Sequence, residues 1–243
     1  MVVKRASSTR SARRAAPDAA PAGSGKRSDT TRALLLDTAE RLFAEQGYEG
    51  TGVRQIAEQA GVNLGAIHYY WGSKQALCRE ALERRLVPVL AERSERIEAV
   101  AGHGGGLAEL LDASHRPSLL AGGARAEDSE AFRRFYGRML FDPSPEVQAI
   151  LASLLDAFAT RFVGLLRQHC KDLSDDEFYW RVTFLYGAFL YAHTQHTRTT
   201  ALWGDRFNRS DYAAATDYLT RFLEGGLQAA PARPRRARGK RGG

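Results

Sequence analysis

Residues 43–77 read FAEQGYEGTGVRQIAEQAGVNLGAIHYYWGSKQAL, and this stretch decides the fold. Its spacing predicts two short amphipathic helices, at about 53–60 and 64–70, joined by a tight Ala60-Gly61-Val62-Asn63 turn. Gly61 suits the left-handed conformation such a turn needs, because it has no Cβ to clash. Ile67 and Trp71 lie one helical turn apart and, with Val62, can pack inward against Phe43, Ile56 and Ala57. Leu64, Gly65, His68 and Tyr69 are then left on the outer face. An exposed His-Tyr pair on so short a helix is costly to leave bare and makes sense against DNA. Both side chains can donate to phosphates or base edges, Leu64 can touch a thymine methyl, and Gly65 allows close approach. A helix-turn-helix reader is built this way.

The flanking sequence continues in helical period. A helix is expected from about Thr31 to Gln46, with caps among Ser28 to Thr30, an apolar stripe of Leu35, Ala39, Leu42 and Phe43, and Gly47 as its end. Ser73 caps a long helix toward Val100, whose free N–H groups suit a phosphate, with Lys74 adding charge. Pro88 is expected to kink or break that helix, since proline removes a donor and clashes one turn back. Beyond it the pattern predicts a loop at 102–106, a short helix at Leu107–Ala113 and a loop from Pro117 to Asp128. Further helices follow at Ser129–Phe141, from Pro145 to Lys171, from a Ser174 cap to Thr199, and from an Asp211 cap to Gly225-Gly226. With no alternating β-branched pattern, the fold class is all-α, with about nine helices.

The net charge of +7 over 243 residues divides unevenly. Residues 1–27 hold seven Lys/Arg and one Asp, a net +6, and residues 228–243 hold six Lys/Arg and no acid, another +6; the body, 28–227, is therefore 7 − 12 = −5. Both tails are rich in Ala, Pro, Gly and Ser and are expected to be disordered, either as solubilising segments or as non-specific holders of phosphate. Residues 28–85 carry seven Lys/Arg against eight Asp/Glu, so the reader is not basic by composition. No apolar run approaches a membrane span, and the first 25 residues lack a signal-peptide core. Cys78 and Cys170 are too few for a disulfide framework, which favours a reducing cytoplasm, and without an apolar span no membrane partner is expected.

Phe43, Gly47-Tyr48, Val53, Ile56-Ala57, Ala60-Gly61-Val62, Gly65, Ile67, Ser73-Lys74 and Leu77 resemble the DNA-binding signature of the TetR/AcrR family at its full spacing. The resemblance covers about 50 residues of the chain. It implies that Arg54, Asn63, Leu64, Gly65, His68, Tyr69, Tyr70 and Lys74 fall at the family's DNA-contacting positions. Gly52 stands where threonine is usual, so Thr51 is expected to substitute in capping and phosphate contact. His68 replaces the commonest tyrosine, and Trp71 the commonest phenylalanine. The implied organisation is a tail at 1–27, a three-helix DNA-binding domain at 28–77, a helical ligand-binding and dimerisation domain at 78–227, and a second tail at 228–243.

The helix at 144–171 carries Leu151, Leu154, Leu155, Phe158, Phe162, Leu165 and Leu166, the one at 174–199 is apolar on most faces, and the last two helices are the candidates for a two-fold, four-helix interface between copies. Phe132, Phe135, Tyr136, Met139, Phe158, Phe162, Phe184 and Tyr191 are candidates to line an apolar pocket, with Arg133, Arg138 or Arg181 receiving an anionic head. The stretches FYGRMLFDPSPEV and WRVTFLYGAFLYA resemble the C-terminal domains of fatty-acid-responsive members, which implies a lipid-like effector. His193 and His196 have metal-ligand spacing but no clear third ligand, so no metal or cofactor is expected. No Glu-x-x-His pair, G-x-S-x-G or P-loop occurs, which argues against an enzyme. The expected function is a homodimeric, effector-released regulator, in the first place a repressor, on a pseudo-palindromic operator. A tail-driven, non-specific DNA binder is the alternative, with a helical-bundle enzyme behind it.

Overall fold

In the computed structural model, residues 24–121, 126–193, 201–202 and 211–231 are described. The tail residues 1–23 and 232–243, and the 194–200 segment with His196, lie outside them. Among the described residues the structure is helical without strands, and nine helices have defined bounds: α1 Ser24–Gly50, α2 Val53–Gln59, α3 Leu64–Trp71, α4 Lys74–His103, α5 Leu107–Leu119, α6 Ala126–Leu140, α7 Pro145–His169, α8 Asp175–Ala192 and α9 Tyr212–Gln228.

Helix ends follow their caps. Asn63, Ser73, Ser174 and Asp211 each accept a backbone N–H from the first turn of α3, α4, α8 and α9. Gly61 adopts φ 65° in the turn between α2 and α3. Gly47, at φ 75° and ψ 178°, breaks the helical run of α1 three residues before its end.

Several boundaries differ from expectation. α1 begins at Ser24, so Ser28 to Thr30 lie inside it and do not cap it. Pro88 does not break α4, which is continuous from Lys74 to His103. Pro88 is exposed, so the carbonyl that loses its donor can turn to water. α5 likewise runs through Pro117 to Leu119, and α9 passes Gly225-Gly226 to Gln228. α7 is apolar and long enough to cross a membrane, contrary to the reading that no run approaches that length. It carries Asp156 and Arg161, and Arg161 pairs with Glu98 of α4 at 2.6 Å.

Two apolar clusters make the core. The first joins α1, α2, α3 and the start of α4 to Phe132, Phe135, Tyr136 and Met139 of α6 and Val147, Ile150 and Leu151 of α7. The second joins Ile97 of α4 to α5, the end of α7, α8 and α9. α4 and α7 run through both clusters, so the helix that follows the reader also reaches the centre of the C-terminal half. Full burial of each Leu, Ile or Phe contributes roughly 1.5–3 kcal/mol.

A polar contact crosses from α6–α7 to the reader. The Tyr48 amide donates to Asp142 Oδ2 at 2.8 Å, directly after the Gly47 break. The Ser144 amide donates to Asp142 Oδ1 at 3.0 Å, and the Ser144 hydroxyl donates to the same oxygen. Burial works against this carboxylate, but the Ser144 hydroxyl and the two amides hold it below the ordinary range.

Candidate nucleic-acid interface

α3 is fastened on one face and bare on the other. Ile67 is fully buried, and the Trp71 indole N–H donates to Glu80 at 2.7 Å. The Tyr70 hydroxyl donates to the Ser28 carbonyl at 3.1 Å and lies 2.8 Å from Ser28 Oγ, which ties α3 to α1. On the free face Tyr69 is 82 % exposed, and Asn63, Gly65 and His68 are exposed beside it. Arg54, in the first turn of α2, is also exposed.

Four expected contact residues are placed differently. Thr51 is fully buried, and its hydroxyl donates to the carbonyls of Gly47 at 2.8 Å and Leu42 at 3.2 Å. It secures the Gly47 break and presents no hydroxyl outward. Lys74 is half-buried: its ammonium donates to the Tyr48 carbonyl at 3.1 Å and lies 4.0 Å from the centre of the Tyr48 ring. Leu64 and Tyr70 are half-buried against the first cluster. A short helix leaves few positions wholly outward, and the aromatic rings of α3 need somewhere to pack.

The near-neutral charge of the reader has a structural counterpart. Arg84 and Arg85 both bind buried Glu40, with Arg84 also on Asp37. Arg32 pairs with Glu80, Arg41 with Glu45 and Arg79 with Glu83. Among the described residues of 28–85, Arg54 is the basic side chain that engages no carboxylate or carbonyl.

The expected pocket does not assemble as one lining. Phe132, Phe135, Tyr136 and Met139 belong to the first cluster and Phe158 and Phe162 to the second. Phe184 and Tyr191 face outward, being large hydrophobics left exposed. Arg181 donates to Glu177 and to the carbonyls of Gly226, Leu227, Ala229 and Ala230, so it caps the end of α9. Two grooves open at the surface, about 480 Å³ between α4 and α5 and about 290 Å³ between α8 and α9, and neither is lined by the Phe132–Met139 run.

A buried polar group missed at the level of sequence lies where α4, α5, α6 and α8 meet. Arg93, in the charged run AERSERIEAV, is 5 % exposed and donates through Nε to the Ser114 carbonyl. Its spacing carried the signal: Leu86, Arg93, Ile97 and Val100 recur at helical intervals on the inner face of α4. His193 is 1 % exposed, shares its Nδ1 with the Phe189 carbonyl at 2.9 Å, and packs edge-on to Tyr136.

A model described as "Bacterial regulatory proteins, tetR family" matches residues 35–81, and one described as "Tetracyclin repressor-like, C-terminal domain" matches residues 112–226. The chain belongs to the TetR family. It is 41 % identical over 64 residues to the HTH-type transcriptional repressor AcnR of Corynebacterium glutamicum, covering 25 % of this chain and 34 % of that one. It is 43 % identical over 51 residues to the HTH-type transcriptional repressor KstR2 of Rhodococcus jostii, covering 21 % and 25 %. The chain thus spans about a third or less of these curated relatives. The structure of the fatty acid degradation regulator FadR from Bacillus halodurans superimposes with a TM-score of 0.58 over 82 % of this chain and 96 % of that one; at 17 % identity this shows the shared fold.

Within the TetR-family frame, the departure at Gly52 leaves α2 without a side-chain cap. Gly52 occupies the cap position at φ −99°, and Thr51 does not replace the missing hydroxyl. The departure at His68 leaves an exposed imidazole beside Tyr69.

The TetR-type C-terminal half also contains two histidines whose burial pushes both imidazoles down to about 4, His115 on α5 and His193 after α8. An unfolded histidine takes its proton near 6.5, so the unfolded chain binds more protons between those values and stability falls as pH falls through that window. The two together are expected to cost about 3 kcal/mol between pH 6.5 and pH 5. Urea midpoints measured at pH 7 and pH 5 check this; equal midpoints would show that neither ring is held neutral.

Proposed function

We propose that this TetR-family chain is a homodimeric transcriptional repressor that reads a pseudo-palindromic operator through α3 and releases it on binding a small apolar or amphipathic effector, lipid-like in character. One observation carries the DNA reading: α3 is locked to the core through Ile67, Tyr70 and Trp71 while His68 and Tyr69 stand free. Asn63, Gly65 and Arg54 complete the contact face, with Leu64, Tyr70 and Lys74 bracing it from behind. A reader without its own basic patch relies on shape and hydrogen bonding, and residues 1–27 can add phosphate contacts that carry no sequence information. The domain division at 28–77 and 78–227 is retained in this proposal. Two buried free thiols suit a reducing cytoplasm.

The dimer is proposed on α8 and α9. Tyr179, Trp180, Phe184, Tyr218 and Phe222 are large, aromatic and exposed there, more than a monomer surface ordinarily carries in one place. A Cβ at Gly187 would meet nothing, so a second copy can approach that backbone closely. Two copies would bring four helices together about a two-fold axis.

Footprinting on the DNA upstream of the gene tests the reading. A protected palindrome, lost on adding effector, is expected; smooth, salt-sensitive protection of any duplex would favour the tail-driven alternative. Phe184→Glu with Phe222→Glu is expected to give a folded monomer by sedimentation and to abolish the footprint. A double variant that still sediments as a dimer would place the interface elsewhere.

A further inference from the structure

Arg93 is a buried cation with no counter-ion among the described residues. Among the described residues no carboxylate lies within 4 Å of its guanidinium. Its neighbours are the Ser114 carbonyl, the hydroxyl of Tyr136, and the faces of Phe158 and Phe189 at 4.0 and 5.3 Å. Burial pulls its basicity down, as it must for a charge taken out of water. Buried charges are normally paired, because an unpaired one costs several kcal/mol.

The polar atoms around it are also incomplete. Tyr186 Oη is buried with no hydrogen-bond partner, and His193 Nε2 is buried with only a loose approach to the Ser118 backbone. Both side chains feel the Arg93 charge, and Tyr186 also feels Tyr136, so the groups form one cluster between α4, α6 and α8. Native cores leave few such atoms unpaired, and several at one place need an explanation. A cation, an unused hydroxyl donor and an imidazole, walled by aromatic rings, suit a bound anion with an apolar body.

We propose that Arg93 and Tyr186 receive the carboxylate of an organic monocarboxylate, whose apolar body lies against Phe158 and Phe189. A carboxylate that displaces the Tyr136 hydroxyl would meet the terminal nitrogens of Arg93 in the fork geometry that matches it, and the Tyr186 hydroxyl would donate a further bond. Arg93 is closed from solvent in this conformation, so entry requires its aromatic neighbours to swing aside; Phe158 and Phe189, both buried, close it on two sides. The proposal rests on the reading of the chain as an effector-responsive regulator. It also supplies that regulator with a route to the reader. Arg93 shares α4 with Lys74, and Tyr136 shares α6 with Met139, which leads into the Asp142 contact on the Tyr48 amide.

The test uses the full chain with benzoate and octanoate, against the neutral amides benzamide and octanamide. Titration calorimetry and thermal melting are expected to show binding of at least one carboxylate and at least tenfold weaker binding of its amide. Arg93→Met replaces the charge with an apolar chain of similar length, and should keep the fold and abolish the carboxylate-induced rise in Tm. Should that variant not fold, Tyr186→Phe removes only the unpartnered hydroxyl and should weaken carboxylate binding about tenfold with the melting point of the free protein unchanged or higher. No carboxylate binding by the native chain, or equal binding by either folded variant, overturns the proposal. A parallel gel-shift separates the two readings. Carboxylate binding that leaves operator affinity unchanged keeps this site and removes its effector role. Operator release by the amides as readily as by the acids keeps the regulator and removes this site.

Discussion

Tyr69→Ala is expected to leave the fold and the dimer intact and to lower operator affinity by a hundredfold or more. Tyr69 is 82 % exposed, and its ring touches Tyr70 edge-on at 5.1 Å without entering either core cluster. Truncation should therefore cost little stability. A hydroxyl bonded to a charged phosphate contributes roughly 1.5–3 kcal/mol, and a two-fold complex loses it twice, about 3–6 kcal/mol in all. Tyr69→Phe removes the hydroxyl and keeps the ring, and should lose most of that affinity. Gel-shift titration beside thermal melting measures both sides. An unchanged operator affinity in a folded Tyr69→Ala dimer would remove Tyr69 from the interface. The corresponding loss at Thr51 should look different: Thr51→Val should appear first as a lower Tm, because its hydroxyl serves the Gly47 and Leu42 carbonyls and not DNA.

Gly47→Ala is expected to destabilise the protein by about 2–4 kcal/mol, a drop in Tm of roughly 5–15 °C. The backbone there, φ 75° and ψ 178°, lies in a region that residues with a Cβ scarcely occupy. An added Cβ would also stand 2.8 Å from Arg138 Nη2 and 3.1 Å from Asp142 Oδ2. The arginine end can move, but the carboxylate is held by Ser144 and the Tyr48 amide. Alanine must either strain the backbone or part the reader from α6–α7, so operator binding should fall along with stability. Gly52→Ala is the control: φ there is −99° and nothing lies within 4 Å of the added carbon, so its effect should stay within about 0.5 kcal/mol. Equal melting points for the two variants would show that the Gly47 conformation relaxes without cost.

Much of the candidate interface was legible in residues 43–77. The turn at Gly61, the cap at Ser73, the inward Ile67 and the outward His68 and Tyr69 all follow from local spacing and turn chemistry, which act over a few residues. Sequence and structure part where a partner distant in sequence decides the outcome. Thr51 looked like an outward hydroxyl because only tertiary packing turns it onto the carbonyls behind it. Pro88 looked like a break because sequence does not say which side of α4 meets water. Phe184 and Tyr191 looked like pocket lining because an aromatic residue suits a core or a subunit interface equally well.

The sequence by itself determined the all-α class, the helix-turn-helix and its family, because helical period, caps and glycine turns are local and strongly specified. Only the tertiary structure decided which charges are spent. It placed all the reader's arginines but Arg54 on its own acids, brought Asp142 across 94 residues to the Tyr48 amide, and buried Arg93 away from every described carboxylate. The physical reason is common to all three. A charge costs or contributes according to its distance from water and from other charges, and those distances exist only once the helices have packed.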